Sequence, residues 1–340
     1  MEIEDLLYQC SKMHAPSGNE REFAEYLYKT LAHFSDSCHI DSVGNLIAEL
    51  KGTGDERIMI SAHMDEIGFM VSYIDDNGYV YFNKIGGVNP SILPGSILYI
   101  HHNGELIPAV VGVPLYRKEG GGNVETSYGD LWLDAGFCDR EKALLKISVG
   151  DYITFKESYQ ELPDRLIAYK SADNKIGVII ACLLLSRLSI VPRSHTIDFV
   201  FSTGEEIGLA GAKYAASILK PNKCIVIDAT HATDYPTTNR CLRGEIKLNK
   251  GVVLSRGAEI DEKMFAELQE VAGKLMKTYQ IEPTPSNSFT EAHEIKTMSR
   301  GISTAVVSFP CRYMHSNHEI VSLKDVEDIV EIIHTYCILN

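Results

Sequence analysis

Basic residues are in the minority. Against 46 Asp and Glu stand only 32 Lys and Arg, a formal charge of −14 over 340 residues. That balance disfavours a nucleic-acid binder or a binder of anionic membranes, since both present basic patches. Long apolar runs are missing too, and nothing approaches the roughly 20 residues that cross a bilayer. Met1-Glu-Ile-Glu-Asp-Leu-Leu begins acidic, without the basic region and apolar stretch of a secretory leader. None of the eight cysteines forms a Cys-x-x-Cys pair, and several lie inside apolar runs. The expectation is reduced, mostly buried thiols in a cytoplasmic protein, not a secreted disulfide framework. Gly120-Gly-Gly122-Asn123 lacks the Lys-Ser/Thr of a phosphate loop and reads as a plain loop. Internal repeats and low-complexity segments are absent as well.

What remains is ordinary globular composition, 45% hydrophobic and 23% charged, with a length that suggests about two domains and a large core. Residues 3–13 read as a short amphipathic helix. Ser17-Gly-Asn-Glu20 has the form of a capping box before Phe23, Leu27 and Leu31 at helical spacing. Strands are predicted around 45–50 and 57–62. From Phe69 to about Leu162 the pattern changes to short strands, turns and glycines. Asp76-Asn77-Gly78 marks a hairpin there, and one helical piece is expected at 140–145. This stretch reads as a small β-rich domain, 69–162, inserted into a larger one formed by 1–68 and 163–340. In the larger part the α/β pattern returns: an apolar helix at 176–188, a strand at 196–202, a helix at 210–219 and a strand at 224–227. A helix at 262–279, a strand at 304–309 and a last helix at 323–338 complete it. The apolar face of 176–188 is core packing.

Polar residues recur at one structural position, the end of a strand or the start of the next helix. They are His63 with Asp65, Asp173, Glu205 with Glu206, Asp228, and His315. Parallel strands put such ends on one edge of a sheet, so these residues should converge. Two imidazoles and several carboxylates suit two zinc- or cobalt-like ions about 3.5–4 Å apart. Such ions lower the pKa of a shared water from about 15.7 towards 7, and a neighbouring Glu can carry its proton to a leaving amine. Adjacent side chains should diverge, which fits one Glu on metal and one handling protons. It fits a glycosidase pair poorly. Taken alone, Glu205-Glu206 is also what an acidic first helical turn looks like. His231 and His318 read as exposed or outer residues, because the two-metal set is complete without them, and Asp234 reads as structural.

These motifs together resemble the tetrahedral, TET-type di-metal aminopeptidases. The resemblance rests on Ala15-Pro-Ser-Gly18, His63-Met-Asp65-Glu-Ile-Gly68 and Asp130-Leu-Trp-Leu-Asp134-Ala-Gly136. It continues through Ser171-Ala-Asp173-Asn-Lys-Ile-Gly177, Thr203-Gly-Glu205-Glu206-Ile-Gly208, Ile227-Asp228 and Arg312-Tyr-Met-His315. It covers nearly the whole chain. Where family members usually carry Thr-Asp-Ala, this chain has Thr290-Glu291-Ala292. Where they often have Asp-Asp-Arg or Asp-Asn-Arg it has Asp173-Asn174-Lys175, and in place of a Pro-Pro-His-like stretch it has Val113-Pro-Leu-Tyr-Arg117.

The resemblance implies an α/β fold, a mixed sheet flanked by helices as in di-zinc exopeptidases, with the inserted β domain serving dimerisation and assembly. It implies metal ligands His63, Asp173 and Asp228 for one ion and Asp173, Glu206 and His315 for the other. Glu205 would be the general base, and Asp65 would orient His63. The expected activity is hydrolysis of N-terminal residues from peptides, with two divalent ions, zinc or cobalt, per subunit. Expected partners are peptides and further copies of the chain, as a dimer and then a twelve-subunit tetrahedral shell. The alternatives are a metal-dependent deacylase or carboxypeptidase, a glycan hydrolase, and a non-catalytic shell subunit.

Overall fold

The computed structural model describes residues 1–113, 126–298 and 301–339. Its centre is an eight-stranded mixed sheet. The spatial order is Ser37–Ile40, Leu46–Leu50, Thr196–Ser202, Arg57–His63, Lys223–His231, Ser303–Cys311, Val252–Gly257 and Tyr279–Thr284. The four middle strands run parallel. Parallel strands are covered on both faces, which explains continuous apolar runs such as Ile58-Met59-Ile60 instead of alternation.

Helix Ala172–Leu188 is apolar all round from Ile176 to Leu185 and buried over most of its length. It packs on strands Arg57–His63 and Lys223–His231, with helices Ile3–Ser11, Arg21–Leu31 and Leu323–Leu339 around it. Helix Ala210–Leu219 packs on Thr196–Ser202 and Arg57–His63. The expected α/β fold with a mixed sheet flanked by helices is therefore present. Among the described residues, no helix is long and apolar enough to cross a membrane.

Between the strand ending at His63 and the one starting at Leu166 lies a closed six-stranded barrel. Around the barrel its strands are Gly68–Ile74, Val80–Ile85, Leu133–Asp134, Glu105–Val111, Ile97–His102 and Tyr152–Phe155. Alternate residues point inward, and Phe69, Phe82, Ile100, Ile153 and Phe155 fill a core of its own. The expected hairpin at Asp76-Asn77-Gly78 and the short helix, Arg140–Leu144, are both there. The Gly120-Gly-Gly122 loop lies outside the described residues.

Three local expectations fail, each for a long-range reason. The helix starting at Glu262 stops at Lys274, not Tyr279. Met276 turns left-handed (φ +54°) and the Lys277 amide closes back on the Ala272 carbonyl, a common helix stop. Tyr279–Thr284 then pairs as an edge strand with Val252–Gly257. The strand carrying Asp228 runs on to His231 because Ser303–Cys311 pairs with it throughout, so Asp228 sits inside a strand and not at its end. Finally, Ser17 caps nothing. Glu20 is the N-cap of Arg21–Leu31, with no side-chain cap bond, and the Ser17 hydroxyl donates instead to Asp65 at 2.6 Å.

Candidate active site

The parallel strands deliver their polar residues to one edge, as the pattern required. His63 closes its strand and is 2% exposed. Its Nδ1 lies 3.0 Å from the Asp65 carbonyl oxygen. That contact places the ring proton on Nδ1 and leaves Nε2 as a lone-pair donor. Nε2 faces Asp173 Oδ1 at 3.2 Å, Asp228 Oδ1 at 3.6 Å and Glu205 Oε2 at 3.9 Å.

His315 repeats the arrangement from a loop. Its Nδ1 meets the Gly87 carbonyl oxygen at 2.8 Å, while Nε2 faces Glu206 Oε1 at 3.1 Å and Asp173 Oδ2 at 3.3 Å. Gly87 belongs to the inserted segment, and a Cβ there would come within 3.1 Å of His315 Nδ1. The preceding Gly86 has φ +76°, and a Cβ on it would lie 3.0 Å from Glu206 Oε2. Side chains at these two positions would crowd the site.

Asp173 stands between the two imidazoles, with one oxygen towards each. Its backbone amide donates to Glu319 Oε2 at 2.9 Å, and the amide of His315 donates to Glu319 Oε1 at 2.7 Å. Glu319 therefore fixes two site residues at once, and nothing local in the sequence pointed to it. Glu66 was also missed, although it stands beside Asp65 in the His63 motif. Fully buried, it accepts from Lys170 (2.7 Å), Lys175 (3.0 Å), the Ser171 hydroxyl and the Ala15 amide. It thus braces the chain on both sides of the site.

Glu205 and Glu206 lie in the turn after Thr196–Ser202, ahead of helix Ala210–Leu219. The helical-turn reading does not apply. Their side chains diverge, Glu205 towards His63 and Glu206 towards His315. The donor atoms fall into two groups that could each hold a metal ion: His63, Glu205 and Asp228, and Asp173, Glu206 and His315. The second coincides with the expected set. In the first, Glu205 stands where Asp173 was expected, although Asp173 still approaches His63.

The electrostatics fit cations. Among the described residues, no Lys or Arg ion pair reaches Asp173, Glu205, Glu206 or Asp228. Burial, and then the neighbouring carboxylates, push Glu205 far above the usual range against the pull of His63. Burial raises Glu206 and Asp228 as well. Burial opposes charge on the His315 ring, yet its bonds to Asp173 and Glu206 drive it up to about 12. Acids and imidazoles both shifted upward are what a carboxylate-rich pocket shows when it calls for positive charge. Metal cations held by these residues would supply it.

His231 and His318 are exposed and belong to neither group. Asp234 pairs bidentately with Arg312, at 2.6 and 2.7 Å. Beside the cluster opens a cavity of about 830 Å³, walled on its far side by residues 282–290.

The profile of the M42 glutamyl aminopeptidases matches residues 44–332. A lysyl aminopeptidase from Pyrococcus furiosus is 32% identical, covering 89% of this chain and 87% of its own. The structure of an aminopeptidase from the archaeon Desulfurococcus kamchatkensis superposes with a TM-score of 0.91 at 27% identity, over 98% of this chain and 95% of that one. The Pyrococcus horikoshii TET1 peptidase, described as assembling into a tetrahedron or a large octahedral shell, gives 0.87 at 27% identity and 99% of both chains. With a peptidase fold over its whole length and this family's profile over most of it, the chain belongs to the M42 glutamyl aminopeptidase family and is an aminopeptidase.

Proposed function

We propose that the protein is a metal-dependent aminopeptidase, releasing N-terminal residues from peptides with two divalent ions and a glutamate base. The observation that carries this reading is the Asp173 carboxylate, whose two oxygens face His63 and His315 at 3.2 and 3.3 Å. His63, Asp173 and Asp228 would hold one ion and Asp173, Glu206 and His315 the other. Imidazole with carboxylate suits zinc or cobalt. When bound, such ions lower the pKa of a water and polarise the scissile carbonyl.

Glu205 takes the proton of the attacking water and hands it to the leaving amine, a step worth about 100- to 10,000-fold. Asp65 is the positioning residue. Its carbonyl sets the His63 tautomer, and its carboxylate holds the Glu205-Glu206 turn. The free amino terminus of the peptide would sit near the acidic groups at the metal site.

The catalytic unit is formed by residues 1–68 and 163–340, and the barrel segment 69–162 serves association. Ile97 and Val110, paired across two barrel strands, are both exposed and offer an apolar surface for a second copy. The assembly we infer is a homodimer built up to a tetrahedral dodecamer, and the tetrahedron described for the Pyrococcus horikoshii peptidase supports the shell. All eight cysteines are free, which supports a reducing, cytoplasmic setting.

Chelation tests the reading. A chelator should abolish hydrolysis of aminoacyl amides, and zinc or cobalt should restore it. Full activity without metal would overturn metal dependence. Cleavage of N-acylated in preference to free peptides would make the protein a deacylase, and glucan cleavage that survives chelation would make it a glycan hydrolase.

A further inference from the structure

The edge strand Tyr279–Thr284 carries Glu282 into the wall of the cavity beside the cluster. Its two oxygens are held separately. Oε1 accepts the Thr230 hydroxyl at 2.5 Å and Oε2 the Ser255 hydroxyl at 3.1 Å. Both donors are buried, and Thr230 follows Asp228 by two residues on the same strand. The carboxylate is thus fixed in orientation relative to the reacting centre. Each oxygen has further acceptor capacity, and among the described residues no Lys or Arg pairs with it.

The rest of the wall sharpens the point. No Lys or Arg is among the described residues that line the cavity. From 283 to 290 the wall is made of prolines, small hydroxyl residues, Asn287 and the exposed ring of Phe289, and His231 also borders the cavity. An acidic side chain entering here would meet the like charge of Glu282 and, among the described residues, no Lys or Arg. A basic one would meet an acceptor already oriented for charge-assisted hydrogen bonds, which are about twice as strong as neutral ones. In the reading above the α-ammonium of the peptide stays near the metal site, while Glu282 stands apart from that site in the wall and is left for a side chain.

We infer that Glu282 selects peptides that begin with a basic residue, Lys or Arg, and that the cavity rejects those beginning with Glu or Asp. This inference rests on the aminopeptidase reading above and adds to it a substrate class. Glu282 acts on binding of the first side chain, not on proton transfer, so its effect falls mainly on KM.

The test compares lysyl-, arginyl-, leucyl- and glutamyl-p-nitroanilide on the cobalt-loaded full-length protein, and repeats the series on Glu282→Gln. In the wild type, kcat/KM for the lysyl and arginyl substrates should exceed that for glutamyl by at least about 100-fold, the product of an ion pair gained and a repulsion avoided. Glu282→Gln keeps the shape and should cut the lysyl-to-leucyl ratio about 10-fold or more, chiefly through KM. Glutamyl turnover equal to lysyl in the wild type would overturn the inference without any variant. A lysyl preference that survives Glu282→Gln, in a variant whose melting curve matches the wild type, would overturn the role of Glu282. Failure of all four substrates would instead defeat the aminopeptidase reading, and the inference with it.

Discussion

The Asp65 carboxylate accepts the backbone amide of Glu205 at 3.0 Å through one oxygen and that of Glu206 at 3.1 Å through the other. A buried acid two residues after His63 thereby holds the turn that presents both glutamates, 140 residues further along. The Ser17 hydroxyl completes its set of donors. Asp65→Asn would keep the volume but set its NH₂ against one of the two amides. We expect a loss of roughly 1–3 kcal/mol, the cost of a buried donor left unpaired, together with a fall in kcat as the Glu205 carboxylate shifts. Urea denaturation and steady-state kinetics on the same preparation check both. An unchanged kcat would refute the positioning role.

Glu205→Gln addresses proton transfer directly. The side chain keeps its place but can no longer take up a proton. We expect kcat to fall at least about 100-fold, with metal content by elemental analysis unchanged. Loss of metal in this variant would mean that Glu205 is a ligand, in line with its grouping with His63 and Asp228.

Asp198 predicts a pH dependence of stability away from the site. Its side chain is fully buried; one oxygen meets Arg57 at 3.1 Å, and the other has no partner. Burial pushes its pKa up from 3.8 to about 7, against the attraction of Arg57. A raised acid binds its proton more tightly in the folded state, so stability is greatest below the unfolded pKa and declines as pH rises towards 7. The decline attributable to this residue is at most roughly 4 kcal/mol. Asp198→Asn should remove that slope, so urea denaturation at pH 4.5 and pH 8 should show the variant gaining on the wild type at the higher pH. A constant difference between the two proteins would contradict the assignment.

Assembly has its own measurement. Light scattering at micromolar concentration should give a mass of at least a dimer, and a dodecamer if the shell forms. Replacing the exposed cross-strand pair Ile97 and Val110 with lysines should lower the mass while leaving the barrel core, which those side chains do not enter, intact. A wild-type monomer would remove the barrel's assembly role.

The sequence by itself determined the frame of the molecule and the identity of its reactive groups. Apolar runs ending in His63 and Ser202, and the breaks after them, announced buried parallel strands with polar ends, and such strands share an edge. That rule alone sends His63, Glu205, Glu206 and Asp228 to one edge. Only the tertiary structure decided what holds them there. Ser17 looked like a helix cap because capping boxes are local patterns, but the buried Asp65 carboxylate, 48 residues away, was the acceptor it satisfied. Glu319 carried no motif, because its work is to accept two backbone amides, and backbone amides leave no trace in a sequence. Tyr279 looked like the end of a helix until a left-handed turn at Met276 released the chain to the sheet edge. That edge strand is what sets Glu282 in the cavity wall. Side-chain periodicity encodes which face of an element is buried. Hydrogen bonds between distant segments depend on where those segments meet, and that is fixed only when the whole chain has packed.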